Sequence, residues 1–223
     1  TVSDEPLRRI ATYANELELP VHIHVHETAG EVEQSVAATG KRPLERLQTL
    51  RLVTPNLTAV HMTQLTDEEI ELLAQTGAHV IHCPESNLKL GSGFCPVADL
   101  LAAGVNVALG TDGTASNNDL DMLGELRSAA YLAKGVKRDP AVVPAPQALY
   151  MATLGGARAL GLGERIGSLE IGKEADITAI NLGDLETLPV YHPVSQIVYA
   201  GGRDKVSDVW VAGRHLLKDR ALT

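Results

Sequence analysis

The 223-residue sequence predicts an α/β fold, a parallel sheet with helices between its strands, followed by a shorter antiparallel β region. Three observations predict it. Strand-like and helix-like segments alternate at intervals of roughly 20–40 residues, the spacing of βα units. Hydrophobic residues make up 44% of the chain and aromatics only 3%, so the core is aliphatic, as suits a sheet covered by helices. Beyond Gly161 the texture changes to glycine-punctuated, β-branched segments, the pattern of antiparallel strands.

The elements follow in order. Ser3 before Asp4, Glu5 and Pro6 starts a helix, and Leu7, Ile10, Ala11, Ala14 and Leu17 recur at its spacing. Pro20 ends it, and VHIHVH is a strand. Glu31 to Ala38 and Pro43 to Leu50 read as helical pieces. Leu57 to His61 is a second strand. Thr66 with Glu69 caps a helix that Gly77 stops. His79 to His82 is a third strand, and Pro84 is expected to begin a loop. Val97 to Ala103 is helical, and Val105 to Leu109 is a fourth strand opening into the loop GTDGTASNND. Helices are expected over Leu120 to Ala133 and Pro146 to Leu160. The rest, GLGERIGSLEIGKEADITAINL and YHPVSQIVYAGGRDKVSDVWVAGRHLLKD, is expected to form short strands. A boundary falls around residues 161–166, giving units of residues 1–163 and 164–223. Four parallel strands are consistent with half of an eight-stranded barrel or with a small open sheet.

Charge and composition exclude some roles. The net charge of −9 repels phosphate backbones, and stacking aromatics are scarce, so nucleic acid is not an expected partner. No apolar stretch is long enough to span a bilayer, and the N-terminus has no signal-peptide core, so a cytoplasmic location is expected. Cys83 and Cys95 match no zinc-knuckle or redox spacing and read as reduced thiols.

The chemistry-bearing residues sit at strand ends. In HIHVHE, alternation puts His22, His24 and His26 on one face, with Glu27 just past the strand. His61 ends the second strand, His82 the third, and Asp112 follows the fourth. Taken singly, His61 and His82 read as core histidines and Asp112 as a turn former. Taken together, they change the reading. A parallel sheet brings the C-terminal ends of its strands to one rim, where active sites gather, and nitrogen and oxygen donors of this kind suit zinc, or iron(II).

HIHVHET, a strand ending in AVH, HCPESNLKLGSG and LGTDGTASNN, in this order, resemble the amidohydrolase superfamily. The resemblance is strongest to its aminohydrolase branch, which holds the 5-methylthioadenosine/S-adenosylhomocysteine deaminases, guanine deaminase and the triazine hydrolases, and among these to the first. It covers essentially the whole chain. It implies the C-terminal half of a metal-dependent (β/α)8 barrel followed by part of a small β-sandwich. It implies one divalent metal, zinc before iron, held by His24 and Asp112. Glu27, His61 and Asp112 resemble the catalytic set: Glu27 the proton shuttle, His61 the residue that orients the attacking water, Asp112 ligand and base. Glu27 and Asp112 would also bind the substrate. His22 and His26 receive no family role, and His26 is expected at the pocket rim. The HCPESNLKL segment resembles a pocket lining. The implied activity is hydrolytic deamination of a small aminopurine nucleoside, releasing ammonia, in a homo-oligomeric full-length protein. A guanine, 8-oxoguanine or triazine hydrolase is the alternative, and a non-catalytic binding module the second. The family's H-x-H metal pair on the first barrel strand has no counterpart here, since His22-x-His24 falls on a later strand. The chain is therefore expected to be half of an enzyme, inactive alone.

Overall fold

The computed structural model describes residues 2–223, which form two four-stranded sheets. The first is parallel, in the order β1 (Val21–Val25), β2 (Leu57–His61), β3 (His79–His82) and β4 (Val107–Leu109). Its helices are α1 (Asp4–Glu16) before β1, α2 (Ala29–Thr39) and α3 (Pro43–Thr49) before β2, and α4 (Asp67–Thr76) before β3. Then come α5 (Pro84–Leu90) and α6 (Val97–Ala102) before β4, and α7 (Met122–Lys137), α8 (Ala145–Ala152) and α9 (Leu154–Ala159) after it. The alternation of strand and helix read from the sequence is observed, as are the Thr66–Glu69 capping box of α4 and its left-handed stop at Gly77.

Aliphatic residues hold this layer together. Leu44 of α3, Leu57 of β2, Leu73 of α4, Leu100 of α6, Leu126 of α7 and Met151 of α8 are fully buried in one cluster. Gly155 explains how closely α9 approaches the sheet. A Cβ there would lie 3.1 Å from the Val107 carbonyl oxygen of β4 and 3.0 Å from that of Tyr150, so only glycine fits without a backbone shift.

The second sheet is antiparallel: β5 (Ile177–Ile180), β6 (Val206–Val211), β7 (Arg214–Lys218) and β8 (Ala221–Leu222), paired in sequence order. Between β5 and β6 the chain sends α10 (Pro193–Tyr199) back onto α7 and α8, and Val198 is buried in the main core.

Several expectations are corrected. Pro84 starts helix α5 rather than a loop. Proline at the first helical position gives up no hydrogen bond, Glu85 suits the positive helix start, and Gly91 closes the helix in left-handed geometry. The same N-terminal proline makes α10 a helix where strands were expected. The segment from Gly161 to Asp176 forms turns, and only Ile177–Ile180 of it and its continuation is strand. The expected helix over Pro146 to Leu160 is two, broken at Thr153 (φ −126°, ψ −97°).

His26 is also corrected. It does not share the face of His22 and His24 and is not at a pocket rim. The strand ends at Val25, and His26 (φ 55°) turns its side chain completely into the interior. There Nε2 accepts from the Leu44 amide at 3.0 Å and Nδ1 donates to the Gln64 carbonyl at 3.1 Å. Burial keeps the ring neutral, against the pull of nearby Glu69.

Candidate active site

Parallel register aligns the functional strand ends. Val25 pairs with His61, Val60 with Ile81, and His82 with Leu109, so β1 to β4 finish along one edge of the sheet. His24 lies one residue before the end of β1, His61 ends β2, and Asp112 follows β4 by three residues. Each imidazole offers one nitrogen and the carboxylate one oxygen such that all three atoms lie within 4.8 Å of one another. His24 Nε2 is 4.0 Å from Asp112 Oδ1, and the rings of His24 and His61 meet edge-on at 5.0 Å. Glu27 stands beside this group, its Oε2 3.9 Å from His61 Nε2. The predicted residues His24, Glu27, His61 and Asp112 are thus brought together. His22 is one alternation further back on the face of His24.

The backbone here is unusual. His26, His61, Met62 and Asp112 have φ of 55°, 77°, 49° and 61°. Such left-handed residues cost of order 1–3 kcal/mol each when not glycine, and they persist where the surroundings over-determine them.

Those surroundings are hydrogen bonds. Asp112 Oδ2 accepts from the hydroxyls of Ser86 at 2.7 Å and Ser116 at 2.6 Å. Burial alone would raise the Asp112 carboxyl, but Ser116, Ser86, the Gly113 amide and His61 together hold it below the ordinary aspartate range. His61 is buried, with Nδ1 2.9 Å from Asn87 Oδ1. Facing an amide oxygen, Nδ1 carries the proton. Nε2 is then a bare lone pair, buried and without a partner, aimed into the cluster. Glu27 is fixed by its main chain: its amide donates to Glu31 Oε2 at 2.7 Å, and its carbonyl accepts from Thr63 at 2.7 Å. Its side chain, 30% exposed, is free to meet a ligand.

His82 lies under His61. Burial, helped by His61, pushes its pKa down to about 3, so it is neutral.

Ser86, Asn87, Ser116 and Glu125 were not named from the sequence. HCPESN and TASNND marked loops suited to a ligand, but the partner of each hydroxyl or amide depends on tertiary structure. Glu125 left a readable signal: a carboxylate on the buried stripe of α7 with Leu126, Ala129, Ala130 and Ala133.

The donors fit a divalent metal. A His24 nitrogen and an Asp112 oxygen held anionic lie 4.0 Å apart, and the buried, unpartnered Nε2 of His61 stands in the same group as an acceptor beside them.

The profile described as Amidohydrolase family matches residues 1–216. A 5-methylthioadenosine/S-adenosylhomocysteine deaminase of Teredinibacter turnerae is 57% identical over 223 residues, all of this chain and 50% of that protein. The enzyme of the same name from Moorella thermoacetica is 49% identical, over 97% of this chain and 51% of its own length. The chain thus spans about half the length of the curated relatives it matches. Among solved structures, an adenosine deaminase from Xanthomonas campestris with bound zinc superposes with a TM-score of 0.99 at 56% identity, covering all of this chain and 51% of that one. An atrazine chlorohydrolase from Arthrobacter aurescens complexed with zinc gives 0.94 at 28% identity, covering 99% and 49%.

Proposed function

This chain belongs to the amidohydrolase family, and from that premise we propose that the protein carrying it hydrolytically deaminates an aminopurine nucleoside of the 5-methylthioadenosine or S-adenosylhomocysteine type. The observation that carries the reading is the convergence of His24, His61 and Asp112 with Glu27 beside them. In this reading the parallel sheet is the C-terminal half of a (β/α)8 barrel, and β5 to β8 are part of a small β-sandwich. Residues 1–163 and 164–223 are the corresponding units, except that α10 of the second packs back onto α7 and α8 of the first.

His24 and Asp112 would hold one divalent metal, zinc before iron(II), together with an H-x-H pair sought elsewhere in the full gene product. When bound, such an ion supplies Lewis-acid charge and brings the pKa of a water toward neutrality. The chain's own groups do the rest. Asp112, held ionised by two hydroxyls, accepts the proton of the attacking water. The bare Nε2 of His61 accepts a hydrogen bond from that water and aims it at the amino-bearing ring carbon. Glu27 protonates the neighbouring ring nitrogen, which removes aromatic resistance to attack; the proton that Asp112 took from the water passes to the leaving amine, and the hydroxyl proton returns to Glu27 as the carbonyl forms. Ammonia departs. Positioned proton transfer of this kind contributes ~10²–10⁴ in rate.

The second reading is a triazine-type hydrolase, favoured by the superposition at 0.94. Identity of 57% against 28% favours the deaminase reading over it. The test is ammonia release by the full-length gene product, zinc content measured on the same preparation. Substrates are 5-methylthioadenosine, S-adenosylhomocysteine, adenosine, guanine, 8-oxoguanine and an aminotriazine. Turnover of the first two above the rest is expected. A zinc-loaded protein that releases ammonia only from a base or triazine overturns the substrate class, and one inert on all six overturns the deaminase reading. The 223 residues alone are expected to be inactive.

A further inference from the structure

Glu125 of α7 has no solvent exposure and, among the described residues, no ion pair with a cation. Burial pushes its carboxyl up to about 7, with Glu85 and Asp119 adding to the rise and hydrogen bonds opposing it. An ionisable group in such a place is costly, and its two oxygens show what it does. Oε2 accepts from the Glu85 amide at 3.1 Å, and Oε1 accepts from Asn117 Nδ2. Glu85 directly precedes Ser86, and Asn117 directly follows Ser116. Ser86 and Ser116 are the two hydroxyls that grip Asp112 Oδ2. One carboxylate therefore ties together the two chain segments that clamp Asp112, a residue the backbone alone would not hold at φ 61°.

We propose that Glu125, acting through Asn117 and the Glu85 amide, is the positioning residue that sets Asp112 for metal binding and proton transfer. The inference rests on the function proposed above.

The hydrogen bonds explain why the position needs a carboxylate. Both neighbours donate. The Asn117 amide cannot turn over, because its Oδ1 already accepts from the Leu120 amide at 3.0 Å and the Asp119 amide at 3.3 Å. Only a carboxylate offers two acceptor oxygens in that plane. A glutamine in place of Glu125 would set its NH2 against a second donor whichever way it turned.

This gives a test by exchange, run on the zinc-loaded full-length protein at pH 8, above the raised pKa. Three variants are compared with wild type. Glu125→Gln leaves a donor facing a donor. Asn117→Asp with Glu125→Gln reverses the pair: the introduced glutamine donates to the introduced aspartate and still accepts from the Glu85 amide, with the charge kept. Leu126→Ala, at the buried neighbouring position on α7, destabilises the same helix without touching the pair. The readouts are zinc affinity by chelator competition, kcat and KM, and melting temperature.

Glu125→Gln is expected to weaken zinc binding by ~10–100-fold, as loss of a group supporting a metal ligand does, and to lower kcat more than it raises KM. The reversed pair is expected to recover both. Leu126→Ala is expected to lower the melting temperature and leave zinc affinity alone. If Glu125→Gln does not accumulate folded, Asn117→Ala, which removes the donor to Glu125 along with the acceptor of the Leu120 and Asp119 amides, is expected to lose zinc affinity in the same way. A folded Glu125→Gln with wild-type zinc affinity and kcat overturns the inference alone, as does a reversed pair no better than the single variant. A wild type without zinc and without ammonia release overturns the proposed function, and the inference with it.

Discussion

Replacing Glu27 with Gln separates binding from chemistry. The backbone of Glu27 is fixed by its amide bond to Glu31 and by the Thr63 hydroxyl on its carbonyl, and neither involves the side chain. The carboxylate is partly exposed and lies outside the group of atoms within 4.8 Å that could hold a metal. Folding stability is therefore expected to change by less than about 0.5 kcal/mol, as for an exposed substitution. Zinc content is expected to stay at the wild-type level. Gln keeps the length and still hydrogen-bonds a ring nitrogen. At worst the bound substrate loses about 1 kcal/mol, roughly fivefold in KM. What Gln cannot do is deliver a proton. Loss of a general acid costs at least ~10² in kcat, about 2.7 kcal/mol of transition-state stabilisation. The assay is steady-state ammonia release by the full-length protein with metal analysis on the same sample. A variant that loses its zinc would make Glu27 a ligand, and one with normal kcat would make it a bystander. Either result refutes the proton-shuttle role.

Asp112→Asn is expected to lose both turnover and zinc, since the amide is a poorer ligand and takes no proton from water; wild-type zinc content and rate would leave Asp112 a turn residue. Arg42→Met removes the partner that meets both oxygens of the largely buried Glu69 at 2.8 Å. Breaking a fully buried pair costs about 3–5 kcal/mol, and with Arg42 about a third exposed roughly 2 kcal/mol is expected in urea unfolding; no measurable loss would show that the pair is dispensable. Raised to about 7, the Glu125 carboxyl contributes stability that is present below its ordinary value near 4.5 and lost as pH rises through 7. In chelated protein, the stability of wild type relative to Glu125→Gln is therefore expected to fall between pH 4.5 and 7 by roughly 1.4 kcal/mol per pH unit, up to about 3 kcal/mol in all, and to level off above that. Glu85, Asp119 and the Cys83 thiol face the same pocket, and Asn117 is neutral, so a pH-independent difference would show that Glu125 titrates normally.

Much of the parallel layer was legible because its signals are local. The alternation of strand and helix, the Thr66–Glu69 cap and the glycine stops act within a few residues. His24, Glu27, His61 and Asp112 were legible because strand ends in a parallel sheet share an edge, so position along each strand locates the side chain. The two seven-residue helices α5 and α10 were not legible. Both are short and begin with proline, as does α3, which was legible; α5 (PESNLKL) carries the Ser and Asn of a loop, and α10 (PVSQIVY) the β-branched residues of a strand. The supporting residues were illegible for another reason. Ser86 and Glu125 acquire their roles only when segments 26 to 40 residues apart meet, and Ser116 reaches Asp112 within one loop.

His26 joins these two lessons. His24 and Glu27 are three residues apart, an odd number, and in a continuous strand they would face opposite sides of the sheet. Both nevertheless reach the same site. The left-handed turn at His26 makes this geometry available by breaking the alternation between them. A non-glycine residue stays there only if it is held, and His26 is held on both ring nitrogens and enclosed completely. The same histidine that disappoints a reading by strand periodicity is thus what lets His24 and Glu27, from one strand end, share one site. Glycine at this position would adopt the turn freely but would leave the buried Leu44 amide without its acceptor and the Gln64 carbonyl with Arg42 alone.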